Sequence, residues 1–207
     1  MPKNFDLKVI ESTAQVLISV LERKNPYTKG HSRRVSDYVL LLAQAIRPKL
    51  TQIEVELLRL GGLVHDIGKT CVEEYTLNNP SRHLSDSQIV ELENHPHDGV
   101  QILRKSTVDI PDAIIECVFF HHERYDGDHK GDLRGYPLGY AGEKIPLPGR
   151  ITAISDTFDA MTTSRSYQEK LSINDAVMRL KDLAGKSLDP ALVEIFIQHV
   201  VPQINSK

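Results

Sequence analysis

A histidine followed directly by an aspartate, His65 and Asp66, stands in the stretch GGLVHDIGKT, residues 61–70, at the end of an apolar run with helical spacing. Adjacent residues of a helix diverge by only about 100° around its axis, so both side chains can reach one metal cluster. An imidazole and a carboxylate are costly to bury unless something pairs them. A divalent cation would do so, and Lys69 follows one turn later on the same side.

Further imidazole and carboxylate side chains recur along the chain, each near a predicted helix end or on an inward-facing stripe. Nitrogen and oxygen ligands without a thiolate suit iron, manganese, cobalt or zinc, and seven ligands exceed what one ion uses. We therefore predict two ions bridged by Asp66. The predicted metal ligands are His31, His65, Asp66, His95, His121, His122 and Asp156.

Each of these histidines taken alone admits a simpler interpretation, because a single histidine on an apolar helix face is more often a satisfied core residue than a ligand. The set as a whole favours metal binding. Without enough basic partners, several buried groups would remain unsatisfied, at about 1–3 kcal/mol each. The remaining histidines are interpreted as structural or surface residues: His83, His97, His129 and His199.

The elements that must position these ligands read as helices. Two capping boxes, Thr51 with Glu54 and Ser85 with Gln88, predict two helix starts, and apolar residues at helical spacing fill the segments between turns. No alternating run indicates a strand. The sequence predicts an all-α fold, a single-domain bundle of about seven to nine helices.

Some ligands are expected at helix boundaries. His95 precedes Pro96, a position that proline pushes out of helical geometry. Asp109 and Pro111 are predicted to open the helix that ends at the histidine pair. After that pair, residues 123–149 hold six of the twelve glycines of the chain. We predict a long Gly/Pro-rich loop there, and such loops inside compact domains are usually functional.

Length and composition indicate one globular domain. The chain has 207 residues and a net charge of −3, so duplex nucleic acid is not an expected partner. Two cysteines, Cys71 and Cys117, show no pairing pattern and fit a reducing cytoplasm. No apolar run is long enough to insert into a membrane, so we predict a cytoplasmic protein. We divide residues 1–207 into an N-terminal helix (1–24), a motif-bearing core (25–191) and a C-terminal helix and tail (192–207).

Taken in order, the motifs resemble the HD-GYP family, a branch of the HD phosphohydrolase superfamily. The resemblance runs from about residue 25 to residue 191. HDIGK alone is moderately specific, whereas the ordered set is highly specific. The matching stretches are NPYTKGHSRRV (25–35), HDIGK (65–69), HPHDGVQIL (95–103), HHERYDG (121–127), GYP (135–137) and the run from Arg150 through DTFDAMTTSRSY to Tyr167.

This resemblance implies an HD-domain fold and hydrolysis of cyclic di-GMP to pGpG and/or GMP, by a metal-activated water, on a cluster of two or three ions. Carried over by matching position, the seven ligands above hold the ions, and Asp66 and Lys69 are catalytic. Lys69 would contact the scissile phosphate, where a positive charge offsets the negative charge that grows in the transition state. Tyr136 and Arg165 would hold the nucleotide, and Asp159 is placed with these substrate-binding residues.

Each of these substrate contacts has an alternative. Lys69 fits a solvated lysine at a helix C-terminus, where the helix dipole favours it. Tyr136 and Pro137 fit a simple turn, and Arg165 fits a surface arginine. Whether Asp159 bridges to Lys69 or faces solvent is left open.

The resemblance also implies cofactors and partners. We expect two divalent ions, iron first and manganese next, with zinc, cobalt or nickel on purification. The expected partners are a cyclic dinucleotide, sensory or GGDEF-type signalling proteins, and a second copy in a homodimer. Two other functions stay open: an HD-type phosphohydrolase that acts on another nucleotide, and an inactive module that senses cyclic di-GMP or docks proteins.

The chain departs from the family pattern at three places. Some members use a glutamate four residues before the first histidine as a ligand for a third ion, but Tyr27 stands here, which favours two ions. Residues 128–134, DHKGDLR, intervene before GYP and would lid the site or alter access to it. Gln168 replaces a basic residue, so phosphate binding would depend more on Arg165 and Lys69.

Overall fold

Helices form the regular structure of the chain, which is described by a computed structural model over residues 5–25, 29–46, 50–79, 83–131, 133–163 and 170–205. Within these ranges the β pairing is limited to one isolated bridge between Ala184 and Leu188. The all-α prediction is confirmed: with the last three helical segments counted as the continuous helix that they form, the described residues contain nine helices of eight residues or more and one single turn, Glu74–Leu77. Among the described residues, none of the helices combines the length and apolar composition needed to cross a bilayer.

The helices run through the chain as follows: α1 (Leu7–Lys24), α2 (His31–Ala45), α3 (Gln52–Val64), α4 (Glu74–Leu77), α5 (Asp86–Glu93), α6 (His95–Arg104), α7 (Asp112–Phe120), α8 (Leu147–Thr162), α9 (Ile173–Leu183), α10 (Pro190–Ile195) and α11 (Val201–Asn205). A 3₁₀ helix, Ile67–Cys71, follows α3, and a second, Gly142–Lys144, precedes α8. A π turn, Phe196–Val200, joins α10 to α11.

Most helix starts follow from local sequence. Both predicted capping boxes are present, at the starts of α3 and α5, because the hydroxyl and the acidic or amide side chain three residues later satisfy two backbone amides reciprocally. The predicted start of α7 is displaced. Pro111, not Asp109, occupies its N-cap position, and the Pro111 carbonyl accepts the amides of Ile114 and Ile115. His95 lies at a helix boundary, as predicted, but as the first helical residue of α6 and not outside helical geometry.

The core is built around α3, whose buried residues point to two sides. Val55 and Leu58 pack into a cluster with α2, α8, α9 and α10, while Leu60 and Leu63 pack into a second cluster with α1, α6 and α7. From Leu60 to Val64 every residue of α3 is buried, as expected for a helix segment at the centre of a bundle. By contrast α5, at the periphery, buries none of its residues.

Two glycines let neighbouring helices approach α3 just before its C-terminal end. A Cβ at Gly61 would lie 2.5 Å from the Cys117 sulfur of α7, and one at Gly62 would lie 2.9 Å from a Val39 methyl of α2. These glycines therefore allow α7 and α2 to pack closely on either side of the helix that leads to His65.

A third close approach brings α6 onto the 3₁₀ helix. A Cβ at Gly68 would overlap the carbonyl oxygen of His95 and lie 2.5 Å from the amide nitrogen of Gly99. Because both atoms belong to backbone, a side chain at position 68 cannot be accommodated by a rotamer change. The spacing between His65–Asp66 and His95 thus depends on this glycine.

We predict that Gly68→Ala lowers the free energy of unfolding by about 3 kcal/mol, the upper end of the usual overpacking range, because α6 must move. Gly185→Ala is the control: its Cβ meets nothing within 4 Å and only the backbone angle φ of +76° is unfavourable, which costs about 1–2 kcal/mol. Urea denaturation of both variants measures the difference. Equal destabilisation would contradict the proposed backbone contact.

Candidate functional site

The carboxylate of Asp66 lies at the centre of the candidate site, at the C-terminal end of α3. It is buried, with 2% of its side chain exposed, and its two oxygens face different neighbours. Oδ1 lies 3.3 Å from His95 Nε2 and 3.7 Å from His121 Nε2. Oδ2 lies 3.5 Å from His65 Nε2 and 3.7 Å from His31 Nε2. One carboxylate therefore faces two sets of imidazoles.

All seven predicted ligands converge, and they do so as two groups. Within each group the potential ligand atoms lie within 4.8 Å of one another. We call them the four-ligand group and the three-ligand group. They consist of Asp66, His95, His121 and His122, and of His31, His65 and Asp156, respectively.

Three of the histidines are oriented in the same way by their own helices. In each, the ring atom Nδ1 lies within hydrogen-bond distance of the backbone carbonyl three residues earlier. Since a carbonyl only accepts, Nδ1 carries the proton and the lone pair of Nε2 points inward, the usual arrangement of metal-ligating histidine. The pairs are His65 with Gly62 (2.8 Å), His95 with Leu92 (2.6 Å) and His121 with Val118 (2.9 Å).

This orientation leaves acceptors facing acceptors. The Nε2 atoms of His95 and His121 lie 3.3 Å apart, and both lie near Oδ1 of Asp66. His65 Nε2 and Asp66 Oδ1 are buried without a hydrogen-bond partner. Buried lone pairs that converge in this way need a cation between them. The residues present therefore fit divalent metal ions of the kind that imidazole and carboxylate hold.

The electrostatics of the site favour ligand-competent protonation states. Burial lowers the pKa of His65 to about 4 and also lowers the pKa values of His95 and His122. Burial alone would raise the pKa of Asp66, but the Lys69 ammonium and the neighbouring imidazole outweigh it and hold that pKa well below its usual range. Neutral imidazole and ionised carboxylate are the forms that bind metal.

His31 differs from the other histidines. Burial opposes its charged form, but hydrogen bonds with Asp156 and Asp159 outweigh burial and raise its pKa to about 9. Nδ1 lies 2.7 Å from Asp159 Oδ2, and Nε2 lies 3.3 Å from Asp156 Oδ1. The carboxylates around this ring thus attract positive charge to the three-ligand group.

Lys69 lies in the 3₁₀ helix, with its ammonium 2.6 Å from Asp66 Oδ2 and 23% of its side chain exposed. Lys69 is therefore not a purely solvated lysine, because it pairs with Asp66. The Lys69 ammonium thus lies against the Asp66 carboxylate, while part of the lysine side chain is exposed to solvent. This position suits contact with an anionic group that enters from outside.

Tyr136 of the GYP triplet forms a wall beside the four-ligand group. Its ring stacks on His122, with ring centroids 4.6 Å apart and planes 25° apart, and its amide donates to the His122 carbonyl at 3.2 Å. Its ring also meets His95 edge-on, with centroids 6.4 Å apart. The simple-turn interpretation therefore understates the role of Tyr136, because this ring restrains a candidate ligand.

The loop that carries Tyr136 is held by a residue that the sequence analysis missed. Glu123 is buried, and its two carboxylate oxygens accept the amides of Leu138 at 2.7 Å and Tyr140 at 3.0 Å. The available signal was its place directly after the histidine pair in HHERYDG. The partners of Glu123 are backbone amides, and a pattern of side chains in the sequence does not predict such contacts.

The inserted segment 128–134 packs against itself and against α5. The Gly135 amide donates to the Asp128 carbonyl at 2.7 Å, which closes the segment. Arg134 pairs with Glu93, the last residue of α5, at 2.6 Å. This pair joins the inserted segment to the helix whose Leu92 carbonyl orients His95.

For Asp159, both placements considered from the sequence are wrong. The structure places it neither at Lys69 nor in solvent, and both of its buried oxygens are occupied by His31 and Arg34. This placement argues against direct contact with a substrate. Arg34, in HSRRV, is a second residue that the sequence analysis missed, although it lies one helical turn after His31. Arg165, with Tyr27 and Gln168, lies outside the described residues.

Known proteins resemble this chain over most of its length. The sequence profile described as HD domain matches residues 15–192. A 3'3'-cGAMP-specific phosphodiesterase 2 of Vibrio cholerae is 31% identical over 183 residues, which cover 88% of this chain and 33% of that protein. A cyclic di-GMP phosphodiesterase of the same organism is 32% identical over 204 residues, which cover 93% of this chain and 40% of that protein. The chain thus spans less than half the length of these relatives.

Solved structures share the fold. The HD domain of the phosphodiesterase PgpH of L. monocytogenes, in complex with cyclic-di-AMP, has a TM-score of 0.66 and 22% identity, covering 92% of this chain and 95% of that one. An HDG"Y"P protein from Bdellovibrio bacteriovorus has a TM-score of 0.63 and 20% identity, covering 97% of this chain and 60% of that one. Both likenesses support the HD-domain fold predicted from the motifs.

We predict that Glu123→Gln loosens the loop without unfolding the bundle. The amide keeps one acceptor oxygen and sets an NH₂ group against a backbone N–H, so about 2 kcal/mol of local stability is lost. Hydrogen exchange at Leu138 and Tyr140 should then accelerate about 30-fold. Glu143→Gln, at an exposed position of the same loop, is the matched control. Equal exchange rates in the two variants would disprove the anchoring role of Glu123.

Proposed function

The chain belongs to the HD-domain family, in its HD-GYP branch, and from this premise we propose that it is a metal-dependent phosphodiesterase that hydrolyses cyclic di-GMP to linear pGpG and GMP. One observation carries the proposal: seven imidazole and carboxylate side chains converge in two groups, with the oxygens of Asp66 facing both. That arrangement would suit two divalent ions a short distance apart, the kind used for phosphodiester cleavage.

The four-ligand group and the three-ligand group would each hold one ion, with Asp66 shared between them. Iron is the expected ion and manganese the next, since both accept imidazole and carboxylate ligands. When bound, two such ions supply a hydroxide nucleophile at neutral pH and offset charge on the phosphodiester.

The protein's own residues would orient the substrate around this centre. Lys69, with its ammonium 2.6 Å from Asp66 and its side chain partly exposed, would provide positive charge for a phosphate oxygen. That charge is worth most where negative charge grows in the transition state. Tyr136, stacked on His122, gives the nucleotide a rigid aromatic wall. The family resemblance adds Arg165 as a contact to the nucleotide.

A second substrate is favoured by a specific observation. Vibrio cholerae proteins named 3'3'-cGAMP-specific phosphodiesterases are 31% and 33% identical to this chain, as similar as the cyclic di-GMP phosphodiesterases. Phosphate chemistry is common to both substrates, and one purine base distinguishes them. Lys69 and the two ligand groups would act on the phosphate and the metal ions, so base selection would belong to Tyr136 and other residues around the nucleotide.

The test is a product assay on protein purified without oxygen. We expect about two metal ions per chain by elemental analysis, and mass spectrometry should detect pGpG and GMP from cyclic di-GMP. His65→Ala should lose both the activity and bound metal, while His199→Ala, at an exposed position far along the chain, should keep them.

Each other outcome has a definite meaning. Cleavage of 3'3'-cGAMP but not cyclic di-GMP would replace the proposed substrate with the second one. Cleavage of another nucleotide alone would favour the broader HD phosphohydrolase class. Tight binding of cyclic di-GMP without products would favour a sensing module and overturn the proposed enzyme.

We predict that Lys69→Gln lowers kcat about 10²–10³-fold, because one charged donor to the transition state is lost, and leaves the metal content near the wild-type value. Lys181→Gln, on the exposed side of α9, serves as the control for a lysine-to-glutamine change. Steady-state kinetics and elemental analysis measure the two quantities. An unchanged kcat would remove Lys69 from the proposed machinery.

A further inference from the structure

His31 is anchored differently from the other histidines of the site. His65, His95 and His121 each use a backbone carbonyl three residues earlier. His31 is the first residue of α2, and it follows Gly30, whose backbone is left-handed with a φ of 74°. The ring therefore lies on the first residue of its helix, and the Nδ1 partner that the described residues provide comes from another element.

That partner is Asp159 on α8. Its Oδ2 lies 2.7 Å from His31 Nδ1. Asp156 lies one turn earlier on the same helix, and its Oδ1 lies 3.3 Å from His31 Nε2. Residues three apart share a helix face, so one turn of α8 contacts both nitrogen atoms of this imidazole. Of the two carboxylates, Asp156 faces the candidate metal position and Asp159 faces away from it.

Arg34 fixes the plane of the Asp159 carboxylate. It lies one turn after His31 on α2, and its Nε and Nη2 atoms donate to Asp159 Oδ1 at 2.6 Å and to Oδ2 at 3.0 Å. Such two-pronged pairing gives a fixed geometry as well as a matched charge. It also compensates a carboxylate that is only 1% exposed, because an unpaired buried charge would be strongly destabilising.

We infer that Asp159, held by Arg34, is a positioning residue that fixes the ring of His31 and sets the metal affinity of the three-ligand group. A carboxylate on the outer nitrogen of a metal-bound imidazole fixes its tautomer and raises its strength as a ligand. In the four-ligand group, His95 and His121 instead depend on backbone carbonyls. The inference rests on the proposed function only in requiring that metal binds.

The test compares two buried aspartates that share a substitution. Asp189 is 4% exposed and pairs with Arg150 at 2.6 Å, as Asp159 pairs with Arg34, but Asp189 caps α10 and is not a contact of the candidate ligands. Metal-free wild-type protein, Asp159→Asn and Asp189→Asn are titrated with Co²⁺ by calorimetry, and their thermal unfolding is recorded.

We expect Asp159→Asn to weaken the binding of one of two Co²⁺ ions about 10–100-fold, the usual effect of losing such a partner, and to leave the other unchanged. Asp189→Asn should lower thermal stability and leave both binding events at their wild-type affinities. Equal Co²⁺ affinities in Asp159→Asn and wild type would overturn the inference. So would an equal loss in both variants, which would trace the effect to general destabilisation.

A second variant covers the case in which Asp159→Asn fails to fold. Arg34→Lys keeps the positive charge at a partly exposed position but loses the two-pronged geometry, so it should weaken the same Co²⁺ ion by a smaller factor. Unchanged affinity in that variant would remove Arg34 from the inference.

These titrations need no nucleotide and therefore separate the two proposals. Wild-type protein that binds two Co²⁺ ions but cleaves no cyclic dinucleotide would overturn the proposed function and leave the role of Asp159 standing. Wild-type protein that binds no Co²⁺ would overturn both.

Discussion

The structure depends on one buried carboxylate. Asp66 is 2% exposed and each of its oxygens faces a separate set of imidazoles. A carboxylate in such a place is unfavourable unless positive charge surrounds it. Lys69 supplies part of that charge on one side. The helices α2, α3, α6 and α7 are packed so that their ends bring histidines to the same carboxylate, and α8 adds Asp156.

This packing depends on glycines, which have no side chain, as much as on the side chains that fill the core. Gly61 and Gly62 allow α7 and α2 to approach α3, and Gly68 allows α6 to lie on the 3₁₀ helix. Because protein interiors are close-packed, even one added methyl group must displace a neighbour. The distances between the helices thus set the positions of the candidate ligands, so their side chains need not change conformation to meet.

The convergence of the predicted ligands could be anticipated from the sequence because most of them are histidines at predicted helix ends, whereas Asp156 lies within α8. Helix starts at Thr51 and Ser85 were also predictable, since capping boxes involve residues three apart. The start of α7 was not, because Pro111 takes the cap position itself. Glu123 and Asp159 were misjudged for a different reason: their partners are backbone amides of a loop, or side chains more than a hundred positions away. Contacts of that kind exist only once the helices have assembled.

The peripheral helix α5 buries none of its residues, yet the carbonyl of Leu92 within it orients His95. Segments with little buried area open at a lower free energy than the whole protein. Fluctuations that release α5 therefore detach the backbone support of one imidazole while the central bundle stays intact. The two sides of the site would then open at different rates. Opening would be fastest at His95, which this weakly packed helix supports, and slowest at His31, where α2 and α8 are joined through buried charge.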